Sequence, residues 1–147
     1  MPALARSSEK HVPLGHGERI MFIDDEPVLV RLALASLGRL GYRVEGFERP
    51  AEALAAFRAK PDAYDLVITD YNMPQMSGFE LARHFARLQP NVTIALITGY
   101  LRPEELEQAR SIGIREIILK PMGVEELGPV VSRLLAESRA PEPRARA

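Results

Sequence analysis

Short apolar runs alternate along the chain with stretches whose apolar residues recur every three or four positions, and the alternation repeats five times. Arg19–Ile23 (RIMFI) reads as a first strand and runs into two aspartates. Pro27–Leu40 (PVLVRLALASLGRL) has helical spacing, with Pro27 suited to a first turn and Gly41 to a stop. Tyr42–Phe47 reads as a second strand and Pro50–Ala59 as an alanine-rich helix. Asp65–Thr69 (DLVIT) is a third strand, again followed by an aspartate. Ser77 is placed to cap a helix over Gly78–Leu88, with Glu80 positioned for a capping box. Val92–Ile97 and Ile114–Leu119 supply two more strands, and Pro103–Ser111 and Val124–Glu137 two more helices. Runs such as VTIALI, apolar without alternation, suit strands of a parallel sheet buried on both faces. Five strand–helix units joined by right-handed crossovers predict an α/β fold, a doubly wound five-stranded parallel sheet with five helices.

The two ends lack this periodicity. Residues 1–17 are rich in Pro, Gly, Ser, Arg and His and read as a flexible linker. Residues 138–147 (SRAPEPRARA) read as a disordered tail, leaving one domain over 18–137. Composition then removes several classes of function. A net charge of −1, with no basic stripe in the folded part, speaks against a nucleic-acid or membrane-surface partner. The absence of cysteine excludes disulfides, zinc–thiolate sites and thiol catalysis, and it is compatible with a reducing cytosol. No apolar run approaches the ~18 residues of a membrane span. The first 17 residues lack the apolar core of a signal peptide.

In an open parallel sheet the carboxyl ends of the strands lie along one edge, and ligands bind there. Asp24, Asp25 and Glu26 follow the first strand, Asp70 the third, Thr98 the fourth, and Lys120 with Pro121 the fifth. The second strand offers only Glu48 and Arg49. The convergent groups make chemical sense as a set. Carboxylates gathered closely repel one another, and a hard divalent cation with oxygen ligands relieves that repulsion. The Asp70 carboxylate is a competent nucleophile for forming an acyl phosphate. The Lys120 ammonium can pair with a phosphoryl oxygen as a point charge, and the Thr98 hydroxyl can donate to another. Each piece has a plainer reading by itself. The acidic trio can serve to cap the first helix, Asp70 can be a turn residue, Thr98 a strand end, and Lys120-Pro121 a surface turn. The joint arrangement is what points to phosphoryl chemistry.

Ile23-Asp24-Asp25-Glu26, Ile68-Thr69-Asp70 with Met73-Pro74 and Ser77-Gly78, Thr98-Gly99 and Lys120-Pro121 together resemble the response-regulator receiver family of two-component signalling, over about residues 18–137. The resemblance implies a flavodoxin-like sheet of strand order 2-1-3-4-5, an order that comes with the family and not from the strand pattern itself. It implies Asp70 as phosphoacceptor and Mg²⁺, or Mn²⁺ in its place, held by Asp25, Asp70 and the Asn72 backbone carbonyl, with Asp24 helping through water. It implies that Thr98 turns toward the phosphoryl group after transfer, that Lys120 contacts it, and that Pro121 follows a cis peptide. It also implies that Asn72 and Tyr100 occupy positions that tune phosphoryl loss. The chain departs from the family pattern at Ile117, three residues before the lysine, where many members carry an aromatic residue that turns inward on activation. That leaves the loop of Gly99 and Tyr100, or the fourth helix, as the route of output.

The resemblance further implies a cytoplasmic signalling switch, not an enzyme with a separate substrate. Phosphoryl uptake would be self-catalysed and its loss slow. The donor would be a sensor histidine kinase or a histidine phosphotransfer domain, and a homodimer is among the family's arrangements. The stretch Gly15–Ile20 looks like linkers that precede receivers at the C-terminus of hybrid sensor histidine kinases, so a stand-alone regulator and a piece of such a kinase both stay open. Two other classes compete with this reading. A phosphorylation-independent binding module would be expected to have lost part of the Asp25, Asp70, Thr98 and Lys120 set. An aspartyl-nucleophile phosphatase needs a second carboxylate two residues after the nucleophile, where Asn72 stands.

Overall fold

Five strands form one parallel sheet in the order β2-β1-β3-β4-β5. They are β1 (Arg19–Ile23), β2 (Arg43–Phe47), β3 (Leu66–Asp70), β4 (Ile94–Thr98) and β5 (Glu116–Leu119). The helices α1 (Pro27–Arg39), α2 (Pro50–Ala59), α3 (Gly78–Leu88), α4 (Pro103–Ile112) and α5 (Leu127–Arg139) link and close them. The computed structural model describes residues 14–120, 123 and 126–139. The expected cis peptide at Pro121, and most of both terminal segments, lie outside the described residues.

Period-two alternation divides the sheet residues between two cores. Ile20, Phe22, Leu66, Ile68, Ala95, Ile97 and Ile118 pack against α1 and α5, through Val30, Ala33 and Leu37 of one and Leu127, Val131 and Leu134 of the other. Met21, Ile23, Val67, Ile94 and Leu96 face the opposite layer, where Phe57 of α2 meets Phe85 of α3 at 4.4 Å between ring centres. All five residues of both β3 and β4 are buried, which is why each opens on an apolar run, and the polar residues that end them, Thr69, Asp70 and Thr98, are buried as well.

Element ends differ from the sequence reading by up to three residues, and the hydrogen bonds say why. The fourth strand starts at Ile94, not Val92, because the Val92 N–H turns back to the Gln89 carbonyl. The fifth starts at Glu116, not Ile114, because the Ile114 N–H closes the end of α4 on the Ala109 carbonyl. Asp70 is the last residue of β3 itself, and Thr98 the last of β4. The Gly15 and Gly17 N–H groups donate to the Leu40 and Gly41 carbonyls at 2.6 and 2.8 Å, and α5 runs to Arg139. Gly41 has φ 100°, and a Cβ there would stand 2.7 Å from the Gly15 carbonyl oxygen, so the stop after α1 doubles as the seat for residue 15.

Candidate functional site

Register brings the acidic residues together. Ile23 pairs with Thr69, so Asp24 stands level with Asp70. Asp70 pairs with Ile97 and Thr98 with Leu119, which sets Thr98 one step and Lys120 two steps further along the same edge. Three backbone bonds carry the strand directions past their ends: Asp24 N–H to the Phe47 carbonyl, Tyr71 N–H to Ile97 and Lys120 N–H to Thr98, at 2.8 to 3.0 Å. The close approach of α3 to this edge depends on Gly78. Its N–H donates to the Tyr71 carbonyl at 2.8 Å, and a Cβ there would lie 2.5 Å from the Asp70 carbonyl oxygen. Ser77 and Glu80 form the reciprocal capping box that starts α3 just past that contact.

One oxygen each of Asp24, Asp25 and Asp70 lies within 4.8 Å of the others. Asp24 and Asp70 are 1 % and 3 % exposed, and Asp25 is less buried. The capping reading of the acidic trio does not hold for α1, whose N-cap is Glu26 with no side-chain cap bond. Asp24 does spend one oxygen locally, accepting from the Glu26 N–H at 2.9 Å. Burial pushes the Asp24 carboxyl up to about 6; the Glu26 N–H opposes the shift, and the Asp70 charge adds to it. Asp70 is also raised, chiefly by burial, although Lys120 pulls the other way. The Lys120 Nζ sits 3.0 Å from Asp70 Oδ1 with two-fifths of its side chain exposed. Burial lowers the Lys120 ammonium, but its bond to Asp70 and the surrounding carboxylates carry it above its usual range. A cleft of about 540 Å³ opens beside Asp24 and Lys120, walled by Phe22, Leu29, Ile97 and Ile118.

This donor set is all oxygen, and two of its carboxylates are buried at a cost that one ammonium does not cancel. It fits a small hard cation and offers nothing to a soft one. The remaining candidates are placed as follows. Asn72 is exposed in the loop after β3. Thr98 is buried, but its hydroxyl is turned to its own loop: it donates to the Tyr100 carbonyl at 3.2 Å and accepts from the Tyr100 N–H at 3.4 Å. The Tyr100 side chain is 70 % exposed, so its ring faces solvent and does not pack on the loop. Ile117 packs, half-buried, on the α2–α3–α4 layer.

Tyr71 is not among the residues that the sequence pattern points to, yet it joins the end of β3 to α4. Its ring lies 4.7 Å from that of Phe79, and its hydroxyl donates to Glu105 Oε2 of α4 at 3.1 Å. Its position directly after Asp70 was the available signal; its partner, 34 residues away, was not readable.

A profile described as "response regulator receiver domain" matches residues 20–132. The virulence sensor protein BvgS of Bordetella pertussis is 33 % identical over 132 residues, which cover 85 % of this chain and 10 % of that protein. A two-component response regulator of Arabidopsis thaliana is 30 % identical over 111 residues, 76 % of this chain and 21 % of that protein. The chain therefore spans a tenth to a fifth of the length of these relatives. The solved non-phosphorylated HemR receiver domain from Leptospira biflexa superposes with a TM-score of 0.77 at 26 % identity, covering 85 % of this chain and 99 % of that one.

Proposed function

The chain belongs to the response regulator receiver domain family, and from that premise we propose that it is a phosphoacceptor switch that takes a phosphoryl group onto Asp70. The observation that carries this reading is the pairing of a buried Asp70 with Lys120 at 3.0 Å, beside two further carboxylates. An Asp70 carboxylate oxygen attacks phosphorus, the P–N bond of a phosphohistidine breaks, and the departing imidazole keeps the bonding electron pair. Lys120 moves from Asp70 to a phosphoryl oxygen, matching the charge that the transfer delivers. Thr98, once released from Tyr100, donates to a second oxygen. Asp24, Asp25, Asp70 and the Asn72 carbonyl would hold Mg²⁺ or Mn²⁺, whose charge, when bound, offsets that of the carboxylates and of the phosphoryl group. Pro121 would fix the direction of the chain just after Lys120.

On this reading the donor is a sensor histidine kinase or a histidine phosphotransfer domain in the cytoplasm. The output is a conformational change in the β4–α4 region, and phosphoryl loss is slow. The likeness to a sensor protein over its matched segment supports placement in a larger, hybrid-type kinase. Among the described residues no helix is long and apolar enough to cross a membrane. The test is intact-mass measurement after incubation with Mg²⁺ and a small acyl-phosphate donor, beside an Asp70→Asn variant. Gain of one phosphoryl group by the parent protein alone is expected. No gain with either that donor or a phosphohistidine donor would overturn the proposal and leave a phosphorylation-independent binding module.

A further inference from the structure

Thr98 cannot serve Asp70 while its hydroxyl is engaged by Tyr100 on both sides. Freeing it breaks both of its bonds to the loop that runs from Gly99 to Arg102. That loop and the start of α4 are tied back to the phosphoacceptor strand through Tyr71. The Tyr71 ring is fixed independently of its hydroxyl. Its N–H donates to the Ile97 carbonyl, its carbonyl accepts from the Gly78 N–H, and its face packs on Phe79. The hydroxyl then reaches across to Glu105 Oε2 at 3.1 Å. Glu105 is itself bound to the head of α4, accepting from the Arg102 N–H at 2.9 Å and from the Arg102 guanidinium at 3.2 Å. The Arg102 guanidinium lowers the Glu105 carboxyl to about 2, so the acceptor is ionised at any working pH. The position that carries the inward-turning aromatic in many family members holds the aliphatic Ile117, which has no hydroxyl to move.

We propose that the Tyr71–Glu105 hydrogen bond is a latch that holds the β4–α4 loop, and with it Thr98, in the resting arrangement, and that its release accompanies phosphorylation. Tyr71 is thus a positioning residue, acting on Thr98 through the loop. The proposal rests on the phosphoacceptor reading for its second half only. A bond made in one of two states shifts their ratio by its own net worth, and a single hydrogen bond to an ionised acceptor corresponds to a change of about tenfold or more.

The test compares the parent protein with Tyr71→Phe, which keeps the ring on Phe79 and removes only the hydroxyl. Amide hydrogen exchange is read first, without metal or phosphate, at Glu105 and Leu106, whose N–H groups close the first turn of α4 on the Arg102 carbonyl. Exchange there should quicken about tenfold or more in the variant, while β1 and β3 stay unchanged. Binding of beryllofluoride with Mg²⁺, a phosphoryl mimic, should then tighten by about the same factor. Glu105→Gln, which weakens the acceptor from the other side, should move both readouts in the same direction and serves if Tyr71→Phe folds poorly. Unchanged exchange overturns the latch whatever the phosphorylation result. Faster exchange with equal or weaker beryllofluoride affinity overturns its coupling to the site. Failure of both proteins to bind the mimic overturns the phosphoacceptor reading, and the coupling with it, while the exchange result stands on its own.

Discussion

Replacing Asp24 with asparagine should make the metal-free protein more stable, and the size of the gain should depend on pH. The Asp24 carboxyl is held at about 6 against an ordinary 3.8, because burial disfavours its charged form. A folded-state value above the unfolded one means that the native state binds the proton more tightly. The charge penalty is therefore absent well below pH 3.8, grows as pH rises from 3.8 toward 6, and is complete above that window. Integrated over this shift, the ionised carboxylate costs about 3 kcal/mol at pH 8, about 1.5 kcal/mol at pH 5 and about 0.5 kcal/mol at pH 4. Asparagine carries no charge and retains an oxygen that can accept from the Glu26 N–H, so Asp24→Asn should recover most of these amounts. The assay is urea denaturation of both proteins in a chelator at the three pH values, with the denaturant slope checked for constancy. A gain that is equal at pH 4 and pH 8, or a loss at pH 8, would refute the assignment of the penalty to a buried, ionised Asp24. Adding Mg²⁺ should stabilise the parent protein more than the variant, because binding to the native state alone adds its own free energy.

Other perturbations address neighbouring links. Gly78→Ala places a methyl 2.5 Å from the Asp70 carbonyl oxygen and 2.7 Å from Leu96, so thermal or urea melts should show a loss of about 1–3 kcal/mol. Ser77→Ala removes one half of the capping box at the start of α3 and should cost about 1 kcal/mol in the same assay, with the phosphoacceptor site retained. Lys120→Met should raise the Asp70 carboxyl further, as followed by NMR titration, and slow phosphoryl uptake by about a hundredfold. An unmoved carboxyl would show that the 3.0 Å contact does not operate as an ion pair.

The sequence by itself determined the class of the fold and which polar residues stand at the carboxyl edge of the sheet. The central strands β1, β3 and β4 are short, mainly apolar runs because they are buried on both faces, and the elements are punctuated by proline, glycine or a capping serine, so order and approximate length were readable. Because all strands run the same way, their carboxyl ends had to share an edge. That alone assigned Asp24, Asp25, Asp70, Thr98 and Lys120 to one region. Local hydrogen-bond competition decided what periodicity could not, such as the loss of Val92 and Ile114 from their strands to neighbouring helix ends. The tertiary structure alone decided the rest. The placement of Asp24 level with Asp70 comes from strand register, a long-range property. The elevation of the Asp24 carboxyl comes from how much protein surrounds it, which no residue string states. Thr98 faces Tyr100 and not Asp70, and Tyr71 meets Glu105 across 34 residues, because side-chain direction and distant contact are set only when the layers pack.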